Sequence, residues 1–95
     1  MTGLEKDIEK AFVDHCRKMG LKALKLRVDG QNGFPDRTVF TVKGPILFEF
    51  KRPKGTLRSM QKCWLLWLGS LGVKVVTPRK VGEAEKALME FLRDG

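Results

Sequence analysis

The chain has 95 residues, 42% of them hydrophobic and 32% charged, the proportions of a folded globular protein rather than a disordered tail, and a chain of this length closes one core. No apolar run approaches the length of a membrane span and no basic-then-apolar leader opens the sequence, so membrane-embedded and exported classes are set aside and a soluble intracellular protein is expected. Nineteen Lys and Arg against eleven Asp and Glu leave a net charge of +8, which favours a polyanionic partner, nucleic acid ahead of an anionic membrane, through counterion release and steering.

Leu4, Ile8, Ala11, Phe12, Cys16 and Met19 recur at helical spacing and Gly20 stops the run, which predicts a first helix over 3–19. Thr2-Gly3-Leu4-Glu5 has the form of a capping box at its start. Leu24, Leu26 and Val28 then alternate with Lys25, Arg27 and Asp29, the pattern of a strand with one wet face, and DGQNGFP is a loop by composition. Two apolar, β-branched runs, at about 37–42 and 46–51, flank the hairpin punctuation Lys43-Gly44-Pro45. After the break RPKGT, Leu57, Met60, Trp64, Trp67, Leu68 and Leu71 share one arc of a second helix that ends near Gly72, with both tryptophans on its core side. Cys63, Leu65 and Leu66 fall off that arc, so this helix is apolar nearly all round and needs a cover, either the third helix or, more economically, a second copy of the chain. VKVVTP is a short strand ended by Pro78, and Ala84, Ala87, Leu88, Phe91 and Leu92 form the stripe of a last helix. The order is αβββαβα, and its strand–helix–strand unit implies a right-handed crossover: a single α/β domain with a mixed sheet and flanking helices. Cys16 and Cys63 have neither disulfide nor zinc spacing and are expected to be reduced packing residues, and His15 has no partner spacing.

The charges are uneven: from Phe50 to Gly82 there are eight basic residues and no acid, whereas the first fourteen residues carry four acids. Inside the hairpin, Asp36 follows Pro35, and Glu49 comes thirteen positions later, two before Lys51. Glu49 and Lys51 share a face through the strand period. A turn about the Lys43-Gly44 bond sets Asp36 opposite Lys51 and Thr38 opposite Glu49, which makes Asp36 and Glu49 diagonal neighbours with α-carbons roughly 7–8 Å apart. A slip of one residue would send Asp36 to the other face. Two carboxylates on one face repel unless a cation lies between them, and hard oxygen donors in that arrangement suit Mg²⁺ or Mn²⁺. Lys51 alone could also neutralise them, as a structural ion cluster. A basic surface implies phosphates, however, and phosphodiester cleavage needs activated water and a cation against the developing charge, so one site would serve both needs.

Gly33-Phe34-Pro35-Asp36-Arg37, followed by Phe48-Glu49-Phe50-Lys51-Arg52-Pro53, Gly55, Leu57 and Gln61, resembles the virus-type replication-repair nuclease (VRR-NUC) family of the PD-(D/E)xK superfamily. The short motif is common and its setting is more specific; the likeness runs over most of the chain, from the first helix to the strand before Pro78. The resemblance implies a restriction-endonuclease-like core, which agrees with the order read from periodicity, and a Mg²⁺- or Mn²⁺-dependent endodeoxyribonuclease. It implies Asp36 and Glu49 as metal ligands, the Phe50 backbone carbonyl as a further ligand, Lys51 orienting or activating water, and Gln61 ordering the site. The family also places a glutamate on the first helix: Glu5 matches its position better, and Glu9, one turn on, shares its face. Stand-alone members of this size resemble Holliday-junction resolvases that act as homodimers, so the implied substrate is branched DNA, a four-way junction first, in the cytoplasm of a bacterial or phage-infected bacterial cell. Arg37, Arg52, Lys54, Arg58 and Lys62 would then contact DNA phosphates. Two other readings stay open, a noncatalytic DNA-binding module with this fold and a nuclease for flap or nicked repair intermediates. A sequence-specific restriction enzyme is disfavoured, because the length leaves nothing for reading a target in the groove.

Overall fold

The structure, a computed structural model, describes residues 4–94. Its elements follow the expected order: α1 Leu4–Lys18, β1 Ala23–Leu24, β2 Arg37–Thr41, β3 Gly44–Phe48, α2 Ser59–Ser70, β4 Lys74–Val76 and α3 Glu83–Arg93. Residue 3 and the Thr2 side of the expected capping box lie outside the described residues. The strands form one sheet in the order β1-β2-β3-β4, antiparallel except for the parallel pair β3 and β4. α2 is therefore the crossover that a parallel pair requires. Among the described residues no helix is long and apolar enough to cross a membrane.

Alternation along β3 divides its side chains between two layers. Ile46, Phe48 and Phe50 join Val39 of β2 in the main core, against Ile8, Phe12 and Cys16 of α1 and Ala84 and Leu88 of α3. The Phe12 ring lies 4.3 Å from that of Phe48 and 5.8 Å from that of Phe50. Each fully buried aromatic of this kind contributes about 1.5–3 kcal/mol from area alone. Phe48 and Phe50 flank Glu49, so the core grips that acid from both neighbours while the strand period turns its side chain the opposite way. On that opposite face lie Thr38, Leu47 and Glu49, all buried, and α2 supplies buried Gln61 and Leu68.

Four expectations are corrected. The hairpin turns one residue earlier than expected, which shifts its register by two: Thr41 pairs with Gly44 and Thr38 with Leu47, so Thr38 does not oppose Glu49 and Asp36 does not oppose Lys51. Thr41 Oγ1 fixes this turn, accepting from Lys43 N at 3.0 Å and donating to the Gly44 carbonyl at 2.9 Å. The strand expected over Leu24 to Asp29 is only Ala23–Leu24, with an isolated bridge between Val28 and Gln31, so Lys25 and Arg27 share no strand face. α2 is rotated, burying Gln61 and Leu68 while Met60, Trp67 and Leu71 stand exposed. Cys16 is a buried packing residue as expected, but Cys63 is exposed.

Gly33 sets how closely the loop before Asp36 approaches α2. It has φ +91°, and a Cβ there would lie 2.8 Å from the Met60 carbonyl carbon and 3.0 Å from the Gln61 nitrogen. Both are backbone atoms that cannot swing aside. Gly20 also has positive φ, +77°, but open space around it. Gly20→Ala should therefore cost about 1–2 kcal/mol from backbone conformation alone, and Gly33→Ala at least about 1 kcal/mol more from overpacking. Equal losses in urea unfolding would show that the loop does not bear on α2.

Candidate active site

Asp36, Glu49, Phe50 and Lys51 lie just past the last β2–β3 ladder pair, Arg37 with Phe48. Beyond that pair the chain after β3 stays bound to the β4 side: Glu49 N donates to the Val76 carbonyl at 2.9 Å and Lys51 N to the Pro78 carbonyl at 3.1 Å. The intervening Phe50 N–H turns to the β2 side, where its acceptor is the Asp36 carboxylate, Oδ2 at 2.9 Å. The two-residue change of register keeps every face, because the strand period is two. One step past the ladder, it puts Asp36 across from Glu49 directly rather than diagonally.

Glu49 is almost fully enclosed, its side chain 3% exposed. Gln61 Nε2 donates to Glu49 Oε2 at 2.8 Å, and Lys51 Nζ stands 3.8 Å from the same oxygen. Gln61 is itself oriented from the other end, where its Oε1 accepts the Arg58 N–H at 2.8 Å at the start of α2. A buried polar residue on the inner side of a helix thus spans from the helix N-terminus to the acid. The remaining oxygens, Asp36 Oδ1, Glu49 Oε1 and the Phe50 carbonyl, accept no hydrogen bond among the described residues.

Both acids are held above their ordinary range. Burial pushes the Asp36 carboxyl up, and Glu9 and Glu5 add to this, against the Phe50 N–H and Lys51, which favour the charged form. For Glu49, burial and then the Asp36 charge raise the pKa from 4.5 to about 7, against Lys51 and Arg58. Lys51 therefore does not fully neutralise the pair. Two free carboxylate oxygens in a place that disfavours their charge are a donor set for a hard divalent cation. Among the described residues no three His, Cys, Asp or Glu side chains form a metal-holding group; two carboxylates, with water or substrate oxygens completing the sphere, is nonetheless the usual way Mg²⁺ is held.

The two candidate acids of α1 have different surroundings. Glu9 Oε2 receives Arg37 Nε at 2.6 Å, while Glu5 is partly exposed, with Arg52 Nε 3.7 Å from its Oε2, and its charge is felt by both Asp36 and Glu49. Glu5 is thus at the rim of the site, and Glu9, whose charge also reaches Asp36, is bound to Arg37. Arg37, expected on the DNA path, is occupied within the protein: besides Glu9 it donates Nη1 to the Ala23 carbonyl at 2.8 Å, joining α1, β1 and β2. Arg52, Lys54, Arg58 and Lys62 are exposed, Arg58 being also close enough to Glu49 to favour its charge. Sequence reasoning gave Trp64 only a packing role; its Nε1 donates to the Asn32 carbonyl at 2.9 Å and its ring meets Phe34 edge-on, which pins the loop leading to Asp36. The turn residues of that loop were the available signal.

No family model matches the chain, and no curated protein does. Among solved structures, one described as a VRR_NUC domain matches with a TM-score of 0.79, at 20% sequence identity, over 90% of this chain and 94% of that one. The fold is that of a VRR-NUC domain. The expected αβββαβα core and its mixed sheet are borne out. On the VRR-NUC fold of this chain, the residues that carried the resemblance, from Gly33 through Gln61, lie on the loop before β2, the open end of the hairpin, the loop from β3 to α2 and the first turn of α2.

The raised Glu49 fixes a sign for pH dependence in metal-free solution. Its folded pKa lies above its unfolded one, so its contribution is fully present below about pH 4.5 and is lost as pH rises to about 7. That loss should be on the order of 3 kcal/mol. Glu49→Gln stays neutral throughout, so in the presence of a chelator its stability relative to wild type should grow across this interval. A difference that does not vary with pH would contradict the burial of a charged Glu49.

Proposed function

We propose that this protein is a divalent-metal-dependent endodeoxyribonuclease that hydrolyses phosphodiesters in branched DNA, with a four-way junction as its first substrate. The observation that carries the reading is the meeting of Asp36, Glu49, Lys51 and Gln61 at the open end of one hairpin, with carboxylate oxygens left free and both acids raised by burial. The VRR-NUC fold supports it. Asp36 and Glu49, with the Phe50 carbonyl, would hold Mg²⁺ or Mn²⁺. Such an ion, when bound, supplies Lewis-acid polarisation of a phosphate oxygen and lowers the pKa of water. Gln61 keeps Glu49 in its rotamer, and the Phe50 N–H does the same for Asp36. Lys51, whose Nζ lies 3.8 Å from Glu49 Oε2, steadies the negative charge that builds on the phosphate, or orients the attacking water. Glu5 stands at the rim, where it can accept a hydrogen bond from that water. Arg52, Lys54, Arg58 and Lys62 lie exposed in the acid-free stretch and contact flanking phosphates.

One observation favours a second reading. The net charge of +8 and the acid-free basic stretch from Phe50 to Gly82 would serve a noncatalytic DNA-binding module as well as a nuclease. A junction, flap, nicked and linear panel with Mg²⁺ or Mn²⁺ separates these readings. The nuclease reading expects cleavage, strongest on the junction and lost at least about 100-fold in Asp36→Ala and in Lys51→Ala. Cleavage that persists in both variants would refute the site, binding without cleavage would favour the module, and preference for flaps or nicks would move the substrate to repair intermediates.

A four-way junction needs two opposed cuts, which a two-fold dimer supplies. The exposed apolar side chains of α2, Leu66 at 76% and Trp67 at 55% with Met60 and Leu71, support contact with a second copy there. Sedimentation at micromolar concentration should give a dimer, and Leu66→Glu a monomer. A monomeric wild type would remove this part of the reading.

A further inference from the structure

Arg79 lies between β4 and α3, and its side chain crosses to the loop that follows Lys51. Its Nη1 is 2.5 Å from the Gly55 carbonyl and 3.0 Å from the Arg52 carbonyl, with the Pro53 carbonyl at 3.5 Å. A terminal guanidinium nitrogen carries two hydrogens, so the first two contacts use both, and charge-assisted bonds of this kind are roughly twice as strong as neutral ones. The loop also closes on itself, Gly55 N donating to the Arg52 carbonyl at 2.9 Å.

The base of Arg79 is held as firmly as its tip. The N–H groups of Arg79 and Lys80 both donate to Glu83 Oε1, at 2.6 and 2.8 Å, at the start of α3. The Arg79 N–H, ahead of the other causes, keeps that carboxyl below the usual range. One residue earlier, the Pro78 carbonyl receives the Lys51 N–H. Arg79 thus links α3 and the end of β4 to residues 52–55, which have no helix or strand of their own. A loop without regular structure samples many backbone states unless it is tied. The side chains it carries outward are Arg52 and Lys54, both exposed, with Arg52 Nε 3.7 Å from Glu5 Oε2.

We infer that Arg79 is a positioning residue for the DNA substrate: by binding the loop carbonyls through Nη1, it presents Arg52 and Lys54 together to phosphates beside the site. This rests on the DNA-directed reading above. A positively charged side chain in a basic stretch would ordinarily be assigned a phosphate of its own; Arg79 instead spends its Nη1 hydrogens on carbonyls of the protein's own loop.

The test is equilibrium binding of a labelled four-way junction in EDTA, which prevents cleavage, over a range of salt. Arg79→Ala should weaken binding roughly tenfold and lower the slope of log Kd against log salt by about 2, although it removes one charge, because two phosphate contacts are misplaced. In an Arg52→Ala/Lys54→Ala background the same change should cost less than about twofold. Arg79→Lys keeps the charge but lacks the planar fork, and should still weaken binding severalfold; it carries the comparison if Arg79→Ala does not fold by circular dichroism. Faster trypsin cutting after Lys54 in the variants is the expected sign of a loosened loop. A penalty undiminished in the Arg52→Ala/Lys54→Ala background, or unchanged affinity and slope, overturns the inference while leaving DNA binding intact. Failure of the wild type to bind the junction overturns the DNA reading itself, and this inference with it.

Discussion

The Phe50 N–H bonded to the Asp36 carboxylate is the interaction on which the site depends. An antiparallel hairpin would ordinarily continue its ladder with a backbone carbonyl at this point, and the chain would lose a carboxylate aimed at Glu49. Here a side chain replaces the carbonyl, so the ladder ends at Phe48 and Asp36 is fixed across from Glu49. The arrangement is unfavourable by itself: burial and mutual repulsion hold Glu49 near neutrality, with a pKa of about 7. A site that resists its own charge is one that a cation relieves.

The rest of the fold keeps that tension in place. Phe48 and Phe50 are locked into the α1 and α3 layer with Phe12, so the backbone on both sides of Glu49 cannot retreat. From the other layer α2 brings Gln61, oriented by the Arg58 N–H, onto the same Glu49 oxygen that Lys51 approaches. Gly33 lets the preceding loop lie against the first turn of α2, and Trp64 bonds that loop from the helix side. Main core, crossover helix and loop therefore converge on one pair of acids.

Most of this was legible in the sequence, and the failures have physical causes. The element order followed from periodicity and turn residues. The convergence of Asp36, Glu49 and Lys51 survived an error in the hairpin register because that error was two residues, which preserves faces; the turn chemistry of Thr41 that decides the register involves a side chain common in strands. The face of α2 was misread because a helix apolar on nearly every side has no stripe to orient it, and its inner face is set by a polar residue, Gln61, which hydropathy assigns to solvent. The long first strand was expected from a clean alternation over Leu24 to Asp29, but alternation marks a strand only where a neighbour pairs with it, and β2 offers partners to Ala23 and Leu24 alone. Arg37 and Arg79 look alike to a charge count, yet both spend guanidinium hydrogens on acceptors of the protein itself.

The central claim is that Asp36 and Glu49 form one divalent-cation site. Calorimetric titration of Mn²⁺ near pH 7, repeated in buffers of different ionisation enthalpy, tests it most directly, because a carboxyl with a pKa of about 7 must shed its proton when the ion binds. The account predicts saturable binding with proton release in the wild type and loss of that binding in Asp36→Asn. Binding that is unchanged in Asp36→Asn, or absent from the wild type both alone and with junction DNA present, would contradict it.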